Sequence, residues 1–200
     1  MKALYIDNYD SFAQMIGAHF QNAGCSVVMY KSDCSLSVIE KEKPDFIILG
    51  PGPNGPREAG NYLDVIHHAF HKELPIFGVC LGFQAIMEYF GTRIFPLKEI
   101  VHGASSKIEH DSKTIFEGIP KNASFARYHS LGTYTVPSCF EASAMAGNIV
   151  MAARHKNLLI EAVQFHPESI LSMHNDNGVK LIRNVVRHYE RHIGKNSHRK

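Results

Sequence analysis

No apolar run in these 200 residues approaches the ~20 needed to cross a bilayer as a helix. The N-terminal stretch MKALYIDNYD lacks an apolar leader segment and opens directly into a strand-like alternation. A soluble, cytoplasmic protein without membrane partners is therefore expected. No C-x-x-C pair or tight cysteine framework is present. Cys25, Cys34, Cys80 and Cys139 are widely spaced and read as free thiols of a reducing compartment. Repeats and low-complexity tracts are missing too, which argues against a disordered chain. An excess of one charge is also lacking: the net charge is +2. From Arg187 to Lys200 five Lys/Arg face one Glu, giving +4 and leaving −2 for the rest. A nucleic-acid partner would call for a broad basic face, and none is expected; the tail GKNSHRK reads as a frayed terminus.

What is present is an ordinary globular composition, 44% hydrophobic and 20% charged, enough for one domain with a sizeable core. Pattern and punctuation predict strands at Lys2–Asp7, Ser26–Lys31, Asp45–Leu49 and Pro75–Val79. Helices are predicted at Ser11–Ala23 (capped by Asp10 or Ser11, with Gly24 beyond), Leu36–Lys43, Glu58–Phe70 and Leu81–Phe90. Such alternation indicates a parallel sheet covered by helices. The second half changes to short strand candidates at Lys107–His110, Ser124–His129, Tyr134–Val136, Glu141–Ala144, Ile149–His155 and Leu159–Phe165, some paired antiparallel. A last amphipathic helix is predicted from about Asn177 to His192. The expected fold is one α/β domain over residues 1–192: a mostly parallel central sheet with helices on both faces, a smaller antiparallel region in the second half, and a basic polar tail at 193–200.

The segment LGPGPNGP contains Gly50-Pro51-Gly52-Pro53-Asn54-Gly55, which matches the G-x-G-x-x-G dinucleotide fingerprint in letters. Pro51, Pro53 and Pro56 each remove a donor from the backbone that should cradle the pyrophosphate. The loop also follows the third strand rather than the first, and no Gly-Lys-Ser/Thr follows it, so nucleotide binding is rejected. Two readings remain: a rigid loop presenting the single N–H of Gly52 in a fixed direction, or a proline-rich turn.

The next strand ends in Gly78-Val79-Cys80-Leu81-Gly82, a nucleophile-elbow frame with sulfur in place of oxygen. Small residues on both sides permit a sharp strand-to-helix turn. The helix N-terminus favours a thiolate, and the Leu81 N–H is suited to hold an oxyanion. The alternative is a buried core cysteine. A cysteine nucleophile requires a base and an orienter. His166 ends an apolar strand and is followed by Pro167 and Glu168, which places a carboxylate two residues from the imidazole. His67 and His71, at i and i+4 on one helix, have the spacing of a metal pair but no third ligand, and read as a solvated face.

Five separated motifs carry a family resemblance: Asp7-Asn8-Tyr9-Asp10-Ser11-Phe12, Pro51-Gly52-Pro53, Gly78-Val79-Cys80-Leu81-Gly82-x-Gln84, Arg127-Tyr128-His129-Ser130-Leu131, and Gln164-Phe165-His166-Pro167-Glu168-Ser169. Together they resemble the class I (triad) glutamine amidotransferases, from Met1 to about Tyr189. The first, fourth and last point to the branch serving anthranilate synthase and para-aminobenzoate (aminodeoxychorismate) synthase. The resemblance implies Cys80 as nucleophile, His166 as acid/base, Glu168 as its partner, and the N–H groups of Gly52 and Leu81 as oxyanion donors. It implies L-glutamine held around Gly52, Pro53, Asn54, Gln84, Ser130 and Leu131. By themselves Gln84 and Ser130-Leu131 read as a polar helix residue and a strand end. No metal or cofactor is implied. The ammonia acceptor implied is a larger chorismate-using synthase subunit, making anthranilate or 4-amino-4-deoxychorismate.

Three positions depart from the family pattern: Asn54 where Gly is usual, Phe83 where His is usual, and Ala104 where Lys is usual. Asn tolerates left-handed backbone better than other non-glycine residues, so the turn is expected to survive. Two rival functions share these residues: a stand-alone γ-glutamyl hydrolase and a catalytically silent docking subunit.

Overall fold

The computed structural model describes the backbone of residues 1–197 and the side chains of residues 1–194. The strands β1 (Lys2–Asp7), β2 (Ser26–Lys31), β3 (Phe46–Leu49) and β4 (Ile76–Val79) alternate with the helices α1 (Ala13–Asn22), α2 (Ser37–Glu42), α3 (Tyr62–His71) and α4 (Leu81–Tyr89). Then follow β5 (Phe95–His110), β6 (Ala123–Gly132), β7 (Phe140–Ala146), β8 (Ile149–His155), β9 (Ile160–Val163) and α5 (Asn177–Ser197). Among the described residues, nine strands form one sheet in the order β2-β1-β3-β4-β9-β8-β7-β5-β6. The first five in that order run parallel, and the rest continue antiparallel.

β3, β4 and β9 are buried along their whole length. Strands covered on both faces lose the polar alternation of a half-exposed strand, which explains the runs FIIL and IFGV. One face of the sheet packs α1 and α5, with Phe20, Phe46, Phe77 and Tyr189 in mutual ring contact. The other packs α3 and α4 through Tyr62, Ile66, Phe83 and Ile86. In α5 the buried Leu181, Ile182, Val185, Val186 and Tyr189 recur at the spacing of one helical face. The Tyr189 hydroxyl donates to the Ile76 carbonyl at 2.7 Å, tying the helix to β4.

The sheet curls back on itself. Ala126 of β6, at the far end of the strand order, forms an antiparallel bridge with His166, just past β9. The His166 N–H donates to the Ala126 carbonyl at 2.9 Å.

The expected single α/β domain with a mixed sheet is present, with local corrections. Tyr134–Val136 is not a strand: the Thr133 hydroxyl donates to the Thr135 carbonyl and accepts from its N–H, closing a turn ahead of Pro137. β5 is sixteen residues long where only Lys107–His110 is predicted. Pro96, Gly103 and register shifts at Pro96/Val101 and His102/Ala104 break its alternation and hide it. The helix predicted from Glu58 begins at Tyr62, because Pro56–Glu58 forms a 3-10 turn and Gly60 takes φ +56°. The Asp10 carboxylate accepts from the Phe12 N–H at 2.7 Å at the start of α1. α5 extends to Ser197, past the predicted end at His192 and into the predicted tail; residues 198–200 lie outside the described residues.

At Gly82 a Cβ would overlap the Leu49 carbonyl, which is main chain and cannot swing aside. Gly82→Ala is expected to cost about 3 kcal/mol through overpacking, measured as a lower urea midpoint at unchanged m-value.

Candidate active site

Ligands of open parallel sheets bind beyond the carboxyl ends of the strands. Here those ends bring Asp10 and Phe12 (after β1), Gly52 (after β3) and Cys80 (after β4) together with His166, just past β9, around a cleft of about 550 Å³. Pro53, Asn54, Gln84, Ser130 and Leu131 line the same cleft. Leu81 and Glu168 lie behind the surface, 1% and 0% exposed.

Cys80 sits on the β4–α4 turn at φ 53°, ψ −98°, a conformation few non-glycine residues adopt. Its N–H donates to Val163 O at 2.8 Å, and its carbonyl accepts from Gln84 N at 3.1 Å, which hold the turn. The His166 ring is buried between Phe12 and Tyr128, with centroids 5.4 and 5.0 Å away. Its Nδ1 pairs with Glu168 Oε1 at 2.6 Å. Among the described residues Nε2 has no hydrogen-bond partner, and it is the nitrogen left for Cys80. Burial is the largest influence on this imidazole and opposes its charge. The charges of Cys80 and Glu168 together outweigh burial and hold its pKa well above the ordinary 6.5.

Gly52 packs so closely on Asn8 that a Cβ would lie 2.6 Å from the Asn8 carbonyl and 2.7 Å from its side chain. Asn8 Nδ2 donates to Pro53 O at 3.3 Å, and its Oδ1 accepts from Ser32 Oγ at 2.6 Å, which clamps the proline loop. Asn54 takes φ 65°, the left-handed conformation its glycine-like position requires. The N–H groups of Gly52 and Leu81 make no hydrogen bond within the described residues. Both backbone donors, one in the proline loop and one next to Cys80 in the chain, are thus left without a protein acceptor.

Gln84 lines the cleft, but its amide nitrogen is already engaged, with Leu131 O at 3.1 Å and Gln164 Oε1 at 3.2 Å. Of the other departures from the family pattern, Phe83 is core and Ala104 is an exposed strand residue paired with Arg127. His67 lies on the surface of α3, its ring against His71 at 4.3 Å and its Nδ1 3.1 Å from the Tyr89 hydroxyl. Among the described residues, no group of three or more His, Cys, Asp or Glu is arranged to hold a metal ion. Sequence reasoning misses His102, His129 and Gln164 as individual site residues. The last two stand inside the family motifs, and their position in those motifs is the signal that could have found them.

A thiol on a tight strand–helix turn, beside a buried imidazole–carboxylate pair and two free N–H groups, has the parts of a cysteine-dependent acyl-transfer enzyme on an α/β sheet. Residues 4–188 match the glutamine amidotransferase class-I family, and the chain belongs to that family. It is 42% identical over 194 residues to the aminodeoxychorismate/anthranilate synthase component 2 of Bacillus subtilis, covering 95% of this chain and 98% of the relative. It is 42% identical over 192 residues to the anthranilate synthase component 2 of Methanocaldococcus jannaschii, covering 92% and 96%. Among solved structures, a putative GMP synthase subunit from Thermoplasma acidophilum has a TM-score of 0.88, with 98% of each chain covered and 22% identity, a likeness of fold. Among the described residues, no helix is long and apolar enough to cross a membrane.

Because folding raises the His166 pKa, the charged imidazole stabilises the fold fully below its ordinary value of 6.5. That contribution is lost as pH rises through the raised value. Glu168→Gln removes one of the two charges that raise it, so the His166 ring protons are expected to titrate at lower pH by NMR. An unchanged midpoint would mean that Glu168 does not act on the imidazole.

Proposed function

We propose that residues 1–192 form a glutamine-hydrolysing amidotransferase unit in which Cys80, His166 and Glu168 act as a triad. The observation that carries the reading is a buried imidazole that pairs with Glu168 at 2.6 Å and lines the same cleft as Cys80. The Cys80 thiolate attacks the side-chain amide carbon of L-glutamine, forming the C–S bond. The N–H groups of Gly52 and Leu81 receive the oxyanion. Imidazolium at His166, favoured by its raised pKa, gives its proton to the departing nitrogen, the C–N bond breaks, and ammonia leaves. Neutral His166 then takes a proton from water as the oxygen attacks the thioester. The C–S bond breaks, which releases glutamate and restores the thiolate–imidazolium pair. Glu168 keeps Nε2 aimed at the chemistry throughout. Pro53, Asn54, Gln84, Ser130 and Leu131 hold the glutamine. No metal or cofactor takes part.

The ammonia acceptor in this reading is a chorismate-using synthase subunit, making anthranilate or 4-amino-4-deoxychorismate. Its support is that relatives at 42% identity are named as second components of such synthases. Ammonia passes to that partner through a shielded channel, and docking raises the glutaminase rate. The setting is cytoplasmic, a reading supported by four unbridged cysteines.

A glutamine-analogue electrophile is expected to label Cys80, and Cys80→Ala to abolish both labelling and glutamine hydrolysis. Loss of His166 as acid/base is expected to lower kcat by ~10²–10⁴. Hydrolysis assayed alone and with the synthase subunit tests the coupling: full activity of the isolated chain would sink it, as would turnover of γ-glutamyl peptides without a partner.

A further inference from the structure

We propose that Gln164 is a further catalytic group of this site: its side-chain amide donates to the Cys80 sulfur, and the Leu131 carbonyl, acting through Gln84, fixes the direction of that amide. The proposal rests on the reading of Cys80 as nucleophile.

Gln164 is fully buried, and its Nε2 lies 3.7 Å from Cys80 Sγ. A side-chain amide turns end for end with little change in shape, so its direction has to come from its neighbours. Here the neighbours leave one choice. The Leu131 carbonyl can only accept. It is met by Gln84 Nε2 at 3.1 Å and by His129 Nδ1 at 2.9 Å. Gln84 must therefore turn its NH₂ group to Leu131. That same group reaches Gln164 Oε1 at 3.2 Å. Gln164 must then present its oxygen to Gln84 and its NH₂ to the sulfur.

The second arm reaches the same carbonyl. His129 Nδ1 must carry a proton to donate to Leu131, so a neutral ring leaves Nε2 as an acceptor. Arg127 Nε, which can only donate, lies 3.1 Å from that atom. Burial most strongly, and then the charges of Arg127 and His166, push the His129 pKa down to about 4 against the pull of the Leu131 carbonyl. His129 is thus neutral and held in one tautomer.

Arg127 is an expensive way to build a strand. It is 5% exposed, its Nη1 reaches only the Ser106 hydroxyl at 3.3 Å, and its Nη2 has no partner. A buried guanidinium without a carboxylate in hydrogen-bond contact is costly. Arg127 steadies the His129 ring, which shares the Leu131 carbonyl with Gln84, so this charge bears on where that carbonyl sits. Arg127 and His129 are positioning residues; Gln164 touches the reacting atom. Its N–H acts whenever sulfur carries negative charge, in the resting thiolate and again when sulfur leaves as the thioester is hydrolysed.

The test is alkylation of Cys80 by iodoacetamide in the full chain, quantified at the Cys80 peptide by mass spectrometry. It is run beside steady-state glutamine hydrolysis with the synthase subunit present. Gln164→Met is expected to slow alkylation about tenfold near neutral pH and move its pH profile upward. The same variant is expected to lower kcat about tenfold, with the glutamine KM within about twofold. Arg127→Met is expected to slow alkylation less, and Arg127→Lys, which keeps a donor, to recover most of that loss. Unchanged or faster alkylation in a folded Gln164→Met chain overturns the proposal, as does a rise in KM with kcat unchanged. If Gln164→Met does not fold, Gln164→Glu decides, because it keeps the shape and replaces the donor with an acceptor; undiminished alkylation there overturns the proposal too. Iodoacetamide does not require glutamine recognition. Failure of wild-type Cys80 to react with a glutamine analogue therefore overturns the broader reading, separately from this one.

Discussion

Where α4 meets the end of β3 there is no room for a side chain. The Gly82 N–H donates to Gly50 O at 3.2 Å, and its Cα rests against the Leu49 carbonyl. Gly50 O also accepts from the Tyr62 hydroxyl at 3.1 Å, which lies 2.9 Å from Ile6 O as well. One point therefore gathers the ends of β1 and β3, the start of α4 and a side chain of α3. The loop bearing Gly52 and the turn bearing Cys80 are fixed relative to each other by this contact. The left-handed backbone of Cys80, a strain on the order of 1–3 kcal/mol, persists because its flanks cannot relax without opening that junction.

Charge in the cleft is governed by burial that works in two directions. A low dielectric penalises the His166 imidazolium and at the same time strengthens its attraction to Cys80 and Glu168. A few residues away, the same burial drives His129 to the neutral form. Two histidines within one cleft are thus shifted in opposite directions, set by which groups they face. Among the described residues, the buried side-chain atoms without partners include His166 Nε2, Glu168 Oε2 and Arg127 Nη2. Three such atoms in or behind one cleft mark it as a place where packing has been subordinated to chemistry.

The parallel half of the fold is legible in the sequence because strand-like runs alternate with helical ones, most plainly at β3, where FIIL is closed by Gly50-Pro51. Gly78-x-Cys80-x-Gly82 announces its turn by the small residues on either side of sulfur. His166-Pro167-Glu168 is legible for a similar reason, since the partner carboxylate is two residues away. β5 is obscured because bulges and Gly103 (φ +75°) break the period on which strand reading depends. Thr133–Thr135 misleads because β-branched residues favour strands, while the hydroxyl of one of them closes a turn. The direction of the Gln164 amide is beyond sequence reasoning altogether. It depends on contacts with residues 80 and 84 positions distant, which the parallel pairing of β4 with β9 supplies.

That pairing bears on how the molecule comes into being. β9 is the last strand in the chain, yet it sits between β4 and β8, in the interior of the sheet. Before it inserts, a growing chain has two open strand edges and a sheet in two pieces, so completion is a long-range and comparatively slow event. Cys80 precedes that strand by some eighty residues, while His166 and Glu168 follow directly after it. Assembly of the cleft is thereby made conditional on closure of the sheet. A nascent or misassembled copy therefore lacks the buried imidazole–carboxylate pair behind the sulfur, and only a molecule that has finished folding brings the three groups to one cleft.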